Sequence, residues 1–358
     1  MTGITQRARI LILAVATLLL AALATVTLLR ARQAGVQGSP GDVPRAPAAA
    51  VGDDGLRAGP RLTVLSDGLL SSVSITDPSG PRDVTSQRCD RAYTAGGTTA
   101  CLTPVGALGT TRLLVLDPDL RTRRSVTLTG FPNRTRVSAD GRMVAWTLFV
   151  GGHSYSGGGF STRTGILDTR SGELTGSLEV FTVLRDGRRY RAPDVNIWGV
   201  TFAADDDRFY ATLSSSGTRS LVEGSVSART LRILTENVEC PSLSPDGTRV
   251  AFKQAVDADP AKGWRLSVLD LPTLHRTGLA ETRSVDDQAA WLDDGTVAYA
   301  IQRSDGVDDV WTVPADGTGA PRLLVSGAVS PSPPVASALG HGTRADAVPE
   351  GDGVDPSG

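Results

Sequence analysis

"LSPDGTRVAFKQ" (243–254) places Ser-Pro-Asp-Gly directly before an alternating run. Pro245 presets φ for a turn, and Asp246-Gly247 supplies a short polar cap followed by a residue that tolerates positive φ. Beyond the turn, Val250 and Phe252 fall on one side and Arg249 and Ala251 on the other, which is the period of a β-strand. One such hairpin is common. Its recurrence is the informative feature. "VSADGRMVAWTL" (137–148) and "AWLDDGTVAYAI" (290–301) repeat turn and strand, with Asp140-Gly141 and Asp294-Gly295 in the turns. "TFAADDDRFYATL" (201–213) is a degenerate copy with Asp207 in the glycine's place, and "CDRAYTAGGTTACL" (89–102) turns at Gly96-Gly97.

With the second turn residue as marker, the copies sit at 97, 141, 207, 247 and 295, spaced by 44, 66, 40 and 48 residues. Three of the four intervals match the period of about 40–50 residues of four-stranded propeller blades. A single sheet of this kind cannot bury both its faces, so the copies must stack radially. A β-sandwich, the alternative, requires no fixed turn chemistry at a fixed interval. The Ser-Pro-Asp-Gly-x-x-Val-Ala-Phe pattern resembles the repeat of TolB-type β-propellers, found in bacterial cell-envelope proteins and in the propeller domains of some serine peptidases. The resemblance covers about 61–336 and is strongest at 137–148, 242–254 and 290–301. It implies a fold and says little of function.

The expected fold class is all-β: a six-bladed β-propeller over 61–337, at about 46 residues per blade. "RLTVLSDGLLSSVSITDPSGPRDVT" (61–85) lacks an inner hairpin, and "GAVSPSPPVAS" (327–337) begins like an inner strand and stops. Joining the two in one shared blade removes the open edges.

Strands of a blade run alternately, so the connection after the second strand and the connection to the next blade share one face of the disc. "VGGHSYSGGGFS" (150–161), "EVFTVLRDGRRYRAPDVNIW" (179–198) and "AVDADPAKG" (255–263) are insertions at such places. Long loops on a rigid scaffold concentrate function. The candidate binding face therefore carries His153, Tyr155, Arg188, Arg189, Tyr190, Arg191 and Trp198. On the competing reading these loops only cover the channel mouth. The blades are not expected to depend on the insertions at 150–161 and 179–198.

"ILILAVATLLLAALATVTLL" (10–29) is an uncharged run between Arg7 and Arg9 on one side and Arg30 and Arg32 on the other. Its length suits a single transmembrane helix, an uncleaved signal anchor, better than a shorter secretory core, with Ala22-Leu23-Ala24 as the alternative cleavage site. The flanking arginines balance and leave orientation open. Cys89 and Cys101 flank the first hairpin turn, and a disulfide between them would indicate an oxidising compartment. Cys240 has no local partner, and no cysteine follows the apolar run closely enough for a lipid anchor. The expected layout is a short basic cytoplasmic segment (1–9), the helix (10–29), a flexible Pro/Gly/Ala linker (30–60), the propeller outside, and a disordered tail (338–358).

Formal net charge is −2, and the arginines are scattered, which argues against a nucleic-acid footprint. No cofactor motif is present. His153, His275 and His341 have no metal-ligand spacing. Gly-His-Ser-Tyr-Ser (152–156) has Ser156 where a nucleophile elbow needs glycine. Paired aspartates such as Asp286-Asp287 and Asp308-Asp309 fit turn caps rather than a calcium loop. The expected function is a non-catalytic, membrane-tethered, extracytoplasmic propeller that binds a protein or cell-envelope partner through its loop-decorated face. The alternative is a small-ligand sensor, or an enzyme of hydrolase or lyase type, working at the channel mouth; inward-facing Asp, Glu and Arg there would favour it.

Overall fold

The computed structural model describes residues 60–106, 109–151 and 161–334, all within the compact unit Ala46–Gly358. They form six sheets. Blade 1 is built from Arg91–Ala95, Thr98–Val105, Thr110–Leu116 and Thr122–Thr129, and blade 2 from Phe131–Val137, Met143–Val150, Ser161–Asp168 and Leu174–Thr175. Blade 3 contains Asn196–Phe202, Arg208–Ser215, Thr218–Ser225 and Thr230–Glu236. Blade 4 contains Glu239–Leu243, Arg249–Ala255, Trp264–Asp270 and Arg276–Gly278. Blade 5 is Ala290–Asp293, Thr296–Gln302, Asp308–Pro314 and Arg322–Val325, and blade 6 starts from Arg61–Ser66, Leu69–Ser74 and Asp83–Arg88.

The turn motif works through its side chains. Ser244 Oγ donates to Asp246 Oδ1 (2.5 Å), the same oxygen accepts the Thr248 amide (3.0 Å), and Ser244 Oγ accepts the Arg249 amide (3.0 Å). Ser138 and Asp140 repeat this for the amides of Arg142 (2.9 Å) and Met143 (2.9 Å). In blade 3, Asp205 takes the carboxylate's part, accepting from the amides of Asp207 (3.1 Å) and Arg208 (2.7 Å). The left-handed position held by Gly141 and Gly247 falls there to Asp206 (φ 57°), one residue before the expected Asp207. Aspartate tolerates that conformation better than most residues.

Six apolar clusters fill the spaces between neighbouring blades. Leu102, Trp146 and Leu148 lie between blades 1 and 2, and Ile166, Ile197 and Phe209 between blades 2 and 3. Tyr210, Phe252 and Leu269 join blades 3 and 4, while Leu266, Trp291 and Tyr299 join blades 4 and 5. Leu62, Val64 and Val310 join blades 5 and 6; Leu65, Leu70 and Leu116 join blades 6 and 1. The ring is closed. Its lock is the chain's other end: Leu65 and Val329 exchange backbone hydrogen bonds of 2.8 and 2.9 Å, and the Ser332 amide donates to the Thr63 carbonyl (2.9 Å). Segment 328–332 is thus the innermost element of blade 6, as its expected sharing between the two termini requires.

The 66-residue interval has a different explanation from a face loop. Thr182–Arg185 and Arg188–Tyr190 form a hairpin that extends blade 3 outward, Thr182–Arg185 pairing in parallel with Thr230–Glu236. Leu178, Phe181 and Val183 are buried in the cluster between blades 2 and 3, with the Phe181 ring edge-on to Phe209 at 6.3 Å. This corrects the expectation that the blades do not depend on 179–198: part of that insertion is core.

Cys89 and Cys101 form a disulfide with Cα atoms 5.5 Å apart, and Cys240 is a buried free thiol. The apolar run 10–29, the linker up to 59 and the tail 338–358 lie outside the described residues. Among the described residues, no helix is long and apolar enough to cross a membrane.

Candidate functional site

Antiparallel pairing sorts the connections onto two faces. The turns at Gly96-Gly97, Asp140-Gly141, Asp246-Gly247 and Asp294-Gly295 share one face, where neighbouring tips meet. The Asp246 amide donates to Asp294 Oδ1 (3.0 Å), and a Cβ on Gly96 would lie 2.2 Å from the Asp140 backbone. The opposite face carries the ends of the second strands and the starts of the innermost ones, so a side chain at the start of an innermost strand stands at the channel mouth.

Ionisable groups collect there. From blade 1, Arg91 Nε donates to the Asn133 carbonyl (2.8 Å); from blade 2, Arg134 Nη2 donates to the Asp286 carbonyl (3.1 Å). Lys253 of blade 4 pairs with Asp286 and lies 3.6 Å from Glu239, which also binds Arg219 (2.5 Å). The Lys253 ammonium sits 4.2 Å from the Trp264 ring centre. Asp287 Oδ2 accepts the Ala300 amide (3.0 Å). Burial pushes the Glu239 carboxyl up, against the pull of Lys253 and Arg219. Burial works on Asp286 in the same direction, but Lys253, then Arg134 and Arg91, outweigh it and hold that carboxylate below its ordinary range. Burial also raises the Cys240 thiol and keeps it protonated at neutral pH. Asp308 is raised by burial and by the neighbouring Asp287 charge.

An apolar rim borders this funnel over blades 1 and 2. Phe131, at the start of an innermost strand, stands opposite Phe149, at the end of a second strand. They are 55% and 39% exposed, and Val105, ending the second strand of blade 1, is 38% exposed. Large apolar side chains grouped on one face beside charged ones are the composition of a docking surface.

His153 and Tyr155 lie outside the described residues. Arg188, Arg189 and Arg191 are exposed along the added hairpin and its return, at the outer edge of blade 3. Tyr190 is half-buried; its Oη is 2.8 Å from Ser215 Oγ, and the Arg185 guanidinium stacks 4.5 Å above its ring. Asp194 accepts from Ser215 Oγ (2.7 Å) and the Ser216 amide (2.5 Å), tying the return to the connection-bearing face. Trp198 is buried at 5% exposure on the innermost strand of blade 3, a correction to its place on an exposed face. The structure thus groups the hairpin residues and separates Trp198 from them. Sequence reasoning missed Phe131, Phe149, Arg91, Arg134 and Lys253. The available signal was "FPNRTRV" (131–137), where two arginines two residues apart interrupt an otherwise inward-facing strand.

Among the described residues no His, Cys, Asp and Glu side chains are grouped to hold a metal ion. A separate cleft of about 340 Å³ opens on the turn face between blades 2 and 3, lined by Arg142, Asp168, Asp206 and Arg229 among others. Its charges are largely spent on each other: Arg142 binds Asp168 at 2.7 Å and faces Asp206 at 3.7 Å.

A six-bladed propeller closed by its own ends, with a charged funnel and an apolar rim on one face, is the class of protein that fold and site define. TolB from Acinetobacter baumannii has a similar fold: 14% identity and a TM-score of 0.57, over 76% of this chain and 66% of that one. This chain therefore spans just under two thirds of that TolB. A chain of the nidogen/laminin complex is similar at 10% identity and a TM-score of 0.50, over 78% of this chain and 100% of that one. No family model matches the sequence. No curated protein matches it either.

Proposed function

We propose that this protein is a non-catalytic propeller that docks a protein partner on its connection-bearing face while tethered to the cell envelope. The observation that carries the reading is the exposed Phe131–Phe149 pair at the rim of the funnel. Exposed aromatics near the centre of a face, ringed by polar groups, are typical binding hot spots. The likeness to TolB and to a chain of a protein–protein complex supports a binding role at the level of fold. The apolar run 10–29 supplies the single-pass anchor, and the disulfide agrees with an extracytoplasmic propeller.

A photo-crosslinking residue placed at 131 or at 246 in the full-length protein tests this. The expected result is a discrete adduct from 131, reduced at least tenfold by Phe149→Ala, and none from 246 on the turn face. Equal adducts from both positions, or adducts from 246 alone, would overturn it. The ionisable funnel favours a second reading, a small charged ligand held at the mouth. That reading gains if position 131 yields no adduct while Lys253→Met abolishes ligand-induced stabilisation.

A further inference from the structure

The hairpin that widens blade 3 carries Arg185, Arg188, Arg189 and Arg191 within seven residues. Asp186 is the one acid in that stretch, so 185–191 holds a net charge of +3, four arginines less one aspartate. Arg185 and Arg188 are direct partners across the Asp186-Gly187 turn, and like charges placed directly opposite destabilise a β pair. Stacking on the Tyr190 ring occupies one flat side of the Arg185 guanidinium without supplying a negative charge. None of the four arginines forms an ion pair or a side-chain hydrogen bond with another described residue. Their neighbours in blade 3 do: Arg208, Arg219 and Arg232 pair with Asp205, Glu239 and Glu223.

The patch is firmly held and open to solvent. Val183 anchors the hairpin in the core, and Tyr190 Oη meets Ser215 Oγ at 2.8 Å, while Arg188, Arg189 and Arg191 are exposed. Uncompensated like charge on a well-seated element breaks a local rule, and such breaks gather at functional surfaces. Thr182–Arg185 runs parallel to Thr230–Glu236, whose end leads into blade 4 on the connection-bearing face. The tip with Arg185 and Arg188 therefore points to the face that carries Phe131 and Phe149. Residue 60, by contrast, leads into blade 6, opposite blade 3 across the ring, at the start of a second strand and so on the turn face.

We infer that this arginine hairpin receives an acidic segment of a protein, its Asp and Glu carboxylates. The guanidinium fork accepts carboxylates two oxygens at a time, and a segment of several acids neutralises what the hairpin leaves unpaired. The inference rests on the docking reading for the partner's being a protein. A lipid surface is the other source of anions, but a membrane anchor preceding residue 60 lies nearest blade 6 and the turn face, away from the arginines.

Modification of the full-length protein by phenylglyoxal, read arginine by arginine in a mass spectrometer, tests the inference. The probes are a deca-glutamate peptide and vesicles of phosphatidylglycerol, with deca-glutamine and phosphatidylcholine as blanks. Deca-glutamate should slow modification of Arg188 and Arg189 at least fivefold, leave the exposed Arg112 and Arg322 unchanged, and lose its effect at 0.5 M salt. No protection, equal protection at Arg112 and Arg322, or stronger protection by phosphatidylglycerol than by the peptide would each overturn it. In Arg188→Gln/Arg189→Gln the adduct formed from position 131 should fall at least tenfold, and in Arg112→Gln/Arg322→Gln it should not. An adduct unmoved by the hairpin substitutions refutes this inference and spares the docking reading. An adduct missing from the parent protein, with Arg188 and Arg189 still protected, refutes docking at the Phe131 rim and supports the hairpin as a separate acceptor of acidic segments.

Discussion

Asp246 shows how one side chain sets the geometry of a hairpin. It accepts from Ser244 and Thr248, and these bonds with Arg249 nearby outweigh its desolvation and hold its carboxyl down to about 2. Its folded pKa is below the unfolded value, so its contribution is fully present above about pH 4 and is lost as pH falls through about 2. Because the side chain is about a third exposed, solvent screens much of this. Asp246→Ala should cost about 1 kcal/mol at neutral pH by chemical denaturation, and the difference should vanish near pH 2. A difference unchanged by pH would assign the role to packing. This turn was legible because its chemistry is local: Ser, Asp and the left-handed residue lie within four positions. The displaced left-handed residue at Asp206 was not, since neighbouring aspartates in Asp205-Asp206-Asp207 are interchangeable to a reader without φ angles.

Among elements, the outer hairpin of blade 3 separates a pattern from its address. Its turn at Asp186-Gly187 was readable, as was the extra length. What the sequence could not show is that Phe181 and Val183 turn inward against Phe209 while Arg188 and Arg189 face water. That outcome depends on a surface contributed by residues about 30 positions away, which no local period encodes. Phe181→Ala should therefore destabilise the protein by about 3 kcal/mol in urea. A loss below about 0.5 kcal/mol would make the hairpin a loose ornament on the blade. The candidate site divides in the same way: its face followed from strand alternation, whereas Phe131 and Phe149 required knowing that pairing sets the start of one strand opposite the end of the next.

For the whole molecule, blade number and closure were legible because both are questions of counting: repeat length against span, and an inner strand missing at the start of the propeller and supplied at its end. The charged funnel was not. It is assembled from Arg91, Arg134, Glu239, Lys253 and Asp286, contributed by blades 1, 2 and 4 and the loop entering blade 5, and only the closed ring brings them together. Everything proposed for that face presupposes the ring. Its lock is a short segment, 328–332, held to Arg61–Ser66 by backbone hydrogen bonds. Hydrogen–deuterium exchange of the full-length protein reads that lock most directly. The closed ring predicts that the amides of Leu65, Val329 and Ser332 exchange only with global unfolding, as slowly as those of the other innermost strands. Exchange of Val329 and Ser332 within seconds, while Asn196–Phe202 stays protected, would contradict it.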